Sequence, residues 1–340
     1  MNVKLILQCE LLSRLYDKYA KKKSLMFVHF HFRWYSKDMS IQIPQSLIND
    51  VPPAYLASNV SSIEDAKLFC KKLATSHYEN FLVSTLFLPK PLRQHFYNLY
   101  AYCRISDDLG DEIGNPAKSL QLLDWWEGEL TALYSGHPRH AVFIALAETV
   151  EKFDIPIAPF RNLLTAFRQD QITTRYETFE DVQGYCVNSA NPVGHLVLYL
   201  SGYKDEQRQK LSDYTCTALQ LANFWQDIVR DYEKDRIYIP LEDMRKFDVT
   251  EEQIKFRKFT PQFADLMKYQ VERTFTLFQK GEALLDLVDR RVKLDIAMFS
   301  QGGTEVLKRI QKQGYDTLSS RPSISKNRQL AMLFGRLLKR

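Results

Sequence analysis

The chain is poor in the two residues that interrupt regular structure. Its 340 residues include 12 glycines and 13 prolines, together about 7% where roughly 12% is usual. Sandwiches, barrels and glycine-punctuated α/β sheets need more turn residues, so the shortage favours long helices. No apolar run approaches the roughly 18 residues of a membrane span. The cysteines are too few and too scattered for a zinc site or a disulfide framework, which fits a reducing interior. They are Cys9, Cys70, Cys103, Cys186 and Cys216.

Apolar residues recur at three- and four-residue spacing from Ile63 onward, which is typical of helices. Alternation with period two is short, and the best candidate strand, 237–239, ends at Pro240. We therefore expect one all-α domain over 55–340, preceded by an unassigned N-terminal extension at 1–54. Helices are predicted at 63–76, 91–112, 117–135, 139–153, 157–174, 178–201, 205–231, 259–291, 293–314 and 323–338.

Charge is unevenly distributed along the chain. Residues 1–38 carry a net charge of +5 and residues 304–340 a net charge of +7, which leaves −7 for the body between them. No basic stripe with stacking aromatics is found, so we expect no nucleic-acid partner. The leucine- and arginine-rich C-terminal segment fits a last helix packed on the body, or a contact with anionic lipid. We expect a cytoplasmic protein, with peripheral contact at the inner membrane surface left open.

Four carboxylates stand within six residues at the end of one predicted helix: Asp107, Asp108, Asp111 and Glu112. Asp107 and Asp111 are four residues apart and share a helix face. Three local features destabilise the helix here: like charges at this spacing, a glycine inside the helix at Gly110, and anions at the negative end of the helix dipole. A bound cation is the natural compensator, and a solvated acidic surface is the structural alternative.

A second polar set lies on the helix predicted at 205–231. Asn223, Asp227 and Asp231 stand at i, i+4 and i+8, and Gln220 lies one turn before them. These donors are all oxygens or amides without nearby His or Cys, which suits Mg²⁺ better than zinc. Either set alone also fits a solvated surface. Because both are attached to otherwise apolar helices, the pair favours two facing acidic surfaces that hold Mg²⁺ and a bridging diphosphate.

These motifs resemble those of the squalene/phytoene synthase family. Residues 100–111, Tyr-Ala-Tyr-Cys-Arg followed by Asp-Asp-x-x-Asp, are similar to the family's first aspartate motif. Residues 220–231, followed by Asp-Arg-Ile-Tyr-Ile-Pro at 235–240, are similar to the second. The resemblance covers roughly 70–335, and further matches lie at 77–81, 185–194 and 321–326. It implies a single-domain, isoprenoid-synthase-type helical bundle with a central apolar cavity.

Within that family, residues 222–228 and 321–326 are most similar to bacterial hydroxysqualene synthases of hopanoid-type squalene synthesis. Many relatives carry Arg where this chain has Gln226. The resemblance implies a prenyl diphosphate partner, with presqualene diphosphate as substrate and hydroxysqualene as product. It also implies Mg²⁺ as cofactor. No glycine-rich nucleotide loop is present, so NADPH is not expected. The oligomeric state is left open.

Residue roles are also implied by the resemblance. Metal ligation is expected of Asp107, Asp111, Asp227 and Asp231. Catalytic roles are expected of Tyr100, Arg104 and Tyr185. Substrate binding is expected of His77, Phe81, Gln220, Asn223 and Arg321. Arginines would hold phosphate oxygens, and aromatic faces would stabilise a carbocation. For each aromatic residue, packing in the core is the structural alternative.

Two other activities and one non-enzymatic role are alternatives on this scaffold. A presqualene diphosphate synthase would join two farnesyl diphosphates, and a phytoene-type synthase would join two C20 substrates. Gln226 favours hydroxysqualene formation over the condensing reactions, since it removes a donor to a diphosphate. A non-enzymatic relative, such as an assembly factor for respiratory complexes, would be expected to have lost the aspartates, which are present here.

Overall fold

The structure is a computed structural model that describes residues 62–76 and 90–324, together with Leu47, 49–51, Tyr55 and Val60. Its regular structure is helical, so the all-α prediction is confirmed. The helices are α1 (Ile63–Ser76), α2 (Lys90–Asp111), α3 (Pro116–Tyr134), α4 (Ala141–Phe153), α5 (Ala158–Gln169), α6 (Phe179–Ser189), α7 (Asn191–Leu200), α8 (Glu206–Glu233), α9 (Leu241–Lys246), α10 (Glu251–Lys255), α11 (Pro261–Gly281), a 3-10 helix (Glu282–Asp286) and α12 (Arg290–Lys312).

Local chemistry sets several helix boundaries. The side chain of Asn115 accepts a hydrogen bond from the Lys118 N–H, and a proline follows it in the first turn of α3. Thr178 and Asp181 form a capping box at the start of α6. The predicted helix 178–201 is in fact two helices that meet at Ala190, two residues before Pro192, whose nitrogen has no hydrogen to donate to the preceding turn.

Other features also differ from the predictions. The candidate strand at 237–239 reduces to a single parallel bridge between Arg175 and Ile237. Two short helices, α9 and α10, occupy a stretch where none was predicted. The helix predicted at 259–291 ends at Gly281 and continues only as a 3-10 turn. The helix predicted at 323–338 lies outside the described residues from position 325 onward.

The described helices bury two main apolar cores. One core is built chiefly from α1 to α5 and contains the apolar side chains of α2. The other is built chiefly from α6 and α8 to α12 and contains those of α8. The two acidic clusters therefore project from helices anchored in different cores. Cys70, Cys103, Cys186 and Cys216 are buried free thiols.

The long helix α8 is approached closely by three neighbours at glycine positions. A Cβ built on Gly194 of α7 would lie 2.5 Å from the Cys216 sulfur, and one on Gly281 of α11 would lie 2.2 Å from the Thr215 hydroxyl. A Cβ on Gly303 of α12 would also meet side chains at less than 3 Å. Only glycine permits these helix distances, so small residues fix the position of α8. In the part of the chain that the structure describes, no helix is both long and apolar enough to traverse a bilayer.

Candidate active site

The first acidic cluster is buried at the end of α2. Asp107 is 7% exposed and Asp108 is 5% exposed. Arg104 donates from Nε to Asp108 Oδ2 at 2.9 Å, while its Nη1 lies 3.9 Å from Asp107 Oδ2. The Tyr55 hydroxyl also donates to Asp108. Burial and the neighbouring Asp111 raise the pKa of Asp107 to about 7. Arg104 thus pairs mainly with Asp108, while a role for it in holding phosphate oxygens stays a prediction.

Gly110 lets another helix pack against the cluster. A Cβ at this position would lie 3.3 Å from Phe167 of α5, tighter than ordinary contact. The Gln171 amide donates to the Gly110 carbonyl oxygen at 2.8 Å, which satisfies an acceptor at the helix end. The glycine that costs helix propensity is therefore explained by packing.

Two cations from the segment after α8 reach Asp111. Arg236 Nη1 lies 2.9 Å from Asp111 Oδ1, and Lys234 Nζ lies 3.6 Å from Oδ2. Arg236 also donates to the Asp170 carbonyl oxygen at 3.3 Å. These contacts bring the carboxyl ends of α2 and α8 together. The positive charges of Arg236 and Lys234 therefore offset part of the negative charge of the first cluster, which had been expected to need a bound cation.

The second cluster lies at a bend in α8. Asp227 is 1% exposed and has non-helical backbone angles, φ −108° and ψ 16°. The predicted face of three residues at i, i+4 and i+8 is therefore interrupted at its middle member. Asn223 donates to Asp227 Oδ2 at 3.1 Å. Arg321 contacts both carboxylate oxygens, with Nη2 3.0 Å from Oδ2, in the bidentate geometry of strong arginine–carboxylate pairs.

Asp231 carries a buried oxygen, Oδ2, that has no hydrogen-bond partner among the described residues. Burial first and then the charge of Asp227 raise the pKa of Asp231 to about 8, and Asp111 adds to this rise. Arg236 acts in the opposite direction. The negative charges of Asp231 in the second cluster and Asp111 in the first therefore interact, so the two clusters lie close together.

Two glutamines complete this side of the site. Gln220 is 4% exposed, and its Nε2 has no hydrogen-bond partner among the described residues. Gln226 donates from Nε2 to the carbonyl oxygen of Pro322 at 2.5 Å. Together with the Arg321–Asp227 pair, this bond fixes residues 321–322 against α8. The predicted site residue Arg321 is thus brought into the second cluster from a distant part of the sequence.

Tyr185 lies in a buried aromatic group beside the clusters. Its hydroxyl donates to Asp170 Oδ2 at 2.8 Å, and the Tyr238 hydroxyl donates to Asp170 Oδ1 at 3.3 Å. The Phe224 and Tyr238 rings stack with centroids 3.7 Å apart. Burial raises the pKa of Tyr185 well above its usual value, so the phenol stays protonated. Since Arg236 binds both Asp170 and Asp111, this group is connected to the first cluster.

No role was predicted from the sequence for Asp170, Arg236 or Tyr238. Arg236 and Tyr238 lie in the segment 235–240 that matched the family, which was the available signal. Asp170 had none, because it reaches the site only through the packing of α5. Tyr100 lies one turn before Arg104, and burial raises its pKa to about 12. His77 and Phe81 lie outside the described residues.

The carboxylates do not form a ready-made metal cage. No group of three or more His, Cys, Asp or Glu side chains within the described ranges is arranged to hold an ion. The donors nevertheless fit Mg²⁺, which typically takes one or two carboxylates together with substrate phosphates and water. The unpartnered Asp231 oxygen, in a cluster of oxygen donors, is the observation that supports this fit.

Known proteins similar to this chain share this architecture. The family model described as squalene/phytoene synthase matches residues 74–328. The crystal structure of squalene synthase HpnC from Alicyclobacillus acidocaldarius is 40% identical, with a TM-score of 0.72, and the match covers 77% of this chain and 98% of that one. A dehydrosqualene synthase solved with a ligand is 26% identical, with a TM-score of 0.73, over 82% of this chain and 98% of that one.

Other relatives of this chain are phytoene synthases. A 15-cis-phytoene synthase from Synechocystis is 27% identical over 301 residues, which cover 85% of this chain and 89% of the relative. A phytoene synthase from Arthrospira platensis is 29% identical over 277 residues, which cover 76% of this chain and 87% of the relative. The similarity extends over most of each of these proteins.

Proposed function

The chain belongs to the squalene/phytoene synthase family of enzymes, and from this premise we propose that it converts presqualene diphosphate to hydroxysqualene. The greater identity to a squalene synthase, 40%, than to the phytoene synthases, 27% and 29%, supports this branch. The observation that carries the choice is Gln226. Its side chain is bonded to the Pro322 carbonyl oxygen, so this position beside Asp227 brings no cation to a diphosphate.

The charge of the site suits one diphosphate better than two. Asp107, Asp111, Asp227 and Asp231 would hold Mg²⁺ together with the phosphate oxygens of the substrate. When bound, Mg²⁺ supplies the Lewis acidity that stabilises the departing diphosphate. Condensation of two prenyl diphosphates would bring a second anionic group near these carboxylates. A neutral Gln226 makes that arrangement less favourable.

Side chains of the chain itself would hold the leaving group. Arg321 and Arg236 each already bind a carboxylate of the site, and guanidinium groups bind phosphate oxygens in the same forked geometry. Lys234 adds a compact charge beside Asp111. Arg104 is held by Asp108, so we assign it to phosphate binding only from the edge of the site. Gln220 offers its buried amide N–H groups to the substrate.

The hydrocarbon part of the reaction needs an apolar and π-rich surface. Breaking the C–O bond leaves a cyclopropylcarbinyl cation, which rearranges and is captured by a water that then loses a proton. Aromatic faces stabilise such a cation without attacking it. Phe224, Tyr238 and Tyr185 form a buried aromatic group, and Asp170 fixes the orientation of both phenols. Because its proton is donated to Asp170, the Tyr185 hydroxyl is suited to orient a water by accepting a hydrogen bond from it.

A product assay with Mg²⁺ tests the proposal. Presqualene diphosphate, farnesyl diphosphate and a C20 diphosphate are supplied separately, and the extracted products are identified by mass spectrometry. We expect hydroxysqualene from presqualene diphosphate alone. Formation of presqualene diphosphate from farnesyl diphosphate, or of phytoene from the C20 substrate, would overturn the proposal. The phytoene synthases among the relatives make the C20 reaction the second candidate.

Site assignment is tested separately. Asp107→Asn and Asp227→Asn should each abolish turnover while the protein remains folded. Asp286→Asn, at a position whose side chain is 83% exposed outside the site, is the matched control and should leave turnover unchanged. Near-normal activity in either site variant would refute the assignment of these carboxylates.

A further inference from the structure

A basic and aromatic turn at residues 255–259, Lys-Phe-Arg-Lys-Phe, lies outside the proposed site. All five residues are exposed, and Phe256 and Phe259 are exposed by 64% and 40%. The Phe259 ring rests edge-on against the buried Phe263, so it is supported from beneath. Two exposed phenyl rings therefore lie beside three cations on one turn of the surface.

The turn has a defined backbone. It ends α10 in a Schellman motif: Lys258 N–H donates to the Gln253 carbonyl oxygen at 2.8 Å, and Arg257 N–H donates to that of Ile254 at 3.0 Å. Arg257 adopts a φ of 52°, the left-handed conformation that usually selects glycine at this position. The fold therefore accepts an unfavourable backbone angle and carries a cation at the tip of the turn.

The positive charge of the turn is largely unneutralised. Lys255 and Lys258 form no ion pair within the described ranges, and Lys255 Nζ lies 5.4 Å from the centroid of the Phe256 ring. Arg257 pairs with Glu233 at 2.9 Å, with both side chains more than half exposed. Exposed pairs of this kind are weak and leave the cation available to another anion.

The turn is attached to the segment that follows the second acidic cluster. Glu233, the partner of Arg257, lies two residues after Asp231. At the other end of α10, Glu251 pairs with Arg175 at 2.8 Å, and Arg175 also binds Asp235 at 3.0 Å. The turn is therefore held next to the carboxyl end of α8, where the carboxylates of the site lie.

We propose that the 255–259 turn docks the enzyme on an anionic lipid surface. In a bilayer the apolar layer lies directly beneath negatively charged head groups, so the phenyl rings and the cations can be satisfied together. An acidic protein surface would satisfy the cations alone. The lipid contact stands independently of the reaction. Its use in presenting an apolar prenyl diphosphate to the site rests on the proposed function.

Vesicle co-sedimentation of the full chain tests the contact. The vesicles contain 30% phosphatidylglycerol in phosphatidylcholine, and pure phosphatidylcholine vesicles are the reference. We expect binding to the anionic vesicles only. Lys255→Gln with Lys258→Gln should weaken it roughly 25-fold, about fivefold for each cation removed. Phe256→Ser with Phe259→Ser should also weaken it, with no change in the far-ultraviolet circular dichroism spectrum.

Helix α1 offers a matched control, because it packs in the other core and also exposes lysines beside an apolar residue. Lys71→Gln with Lys72→Gln removes the same net charge, and Leu68, which is 47% exposed, is replaced by serine. Unchanged binding in these controls and loss in the turn variants would support the proposal. Equal loss of binding in the turn variants and the α1 controls would overturn the proposal, and so would full binding by the turn variants. A wild-type protein that captures an acidic protein but no vesicles would overturn it as well.

A probe placed in the turn gives a second measure that does not depend on affinity. Phe256→Trp should be quenched by brominated lipid in the anionic vesicles, whereas Leu68→Trp should not, each compared with the unmodified chain. Quenching at Leu68 without quenching at Phe256 would place the contact on the wrong face and overturn the proposal. Neither the sedimentation assay nor the quenching assay uses the substrate. A negative result for lipid binding is therefore distinct from a failure of the proposed reaction.

Discussion

Asn in place of Asp231 should stabilise the metal-free enzyme while it abolishes turnover. The pKa of Asp231 is raised to about 8 in the folded protein, from about 3.9 for an unperturbed aspartate. The folded state therefore keeps a proton that the unfolded state releases. The free energy of unfolding must then fall as the pH rises from about 4 to about 8.

The size of this effect follows from the shift. Between pH 3.9 and pH 7 the full linkage is about 4 kcal/mol, at 1.36 kcal/mol for each pH unit. Asp231 keeps part of its surface exposed, although Oδ2 itself is buried, so we discount the value to about 2 kcal/mol. Asp231→Asn is close to isosteric and does not ionise, so it should gain about this much stability at pH 7.

Urea unfolding in the presence of a chelator measures this directly. Circular dichroism at several pH values between 4.5 and 8 should show the free energy of unfolding falling more steeply for the wild type than for the variant. The two proteins should approach one another at the acid end. Added Mg²⁺ together with inorganic diphosphate should narrow the difference at pH 7 by stabilising the wild type more than the variant. Parallel pH curves, or a less stable variant at pH 7, would refute the reasoning.

Three further outcomes can be checked by simple assays. Gly303→Ala should lower the free energy of unfolding by about 1–3 kcal/mol, because its Cβ would lie 2.4 Å from a Phe278 ring atom. A Cβ at the neighbouring Gly302 meets nothing within 4 Å, so Gly302→Ala should be neutral or stabilising. Urea titration of both variants measures the difference. Tyr185→Phe removes the hydrogen bond to a buried carboxylate and should cost about 1–3 kcal/mol in the same assay. Gln226→Leu frees the Pro322 carbonyl oxygen and should lower kcat/KM about tenfold. Unchanged kinetics would show that residues 321–322 need no anchor.

The sequence was sufficient for the helices and for the two acidic clusters, because both are local patterns. Apolar spacing gave the helix that bears Asp107 and the one that bears Asp227, with bounds within about two residues in each case. It could not give the bend at Asp227, which interrupts a face that the i, i+4 rule treats as continuous. It also missed α9 and α10, which are too short for a periodic pattern to be recognised.

Long-range pairings in the site were beyond the sequence for a different reason. The contact between Arg321 and Asp227 joins residues 94 positions apart, and that between Arg236 and Asp111 joins residues 125 positions apart. No local spacing encodes such pairs. Two of the residues singled out in the sequence nonetheless lie at the second cluster: Arg321 contacts Asp227, and the Tyr185 ring packs against Phe224 of the same helix.

The bidentate pair between Arg321 and Asp227 makes ligand binding an exchange reaction. A cation that binds Asp227 must first displace a guanidinium group, which would then lose its carboxylate partner in a partly buried position. A diphosphate offers that guanidinium a new anion at the same moment. The affinities for cation and diphosphate are therefore coupled, and by reciprocity each ligand strengthens the other by the same factor. If Asp227 ligates Mg²⁺ as proposed, such synergy would keep the site from filling with metal until the substrate arrives.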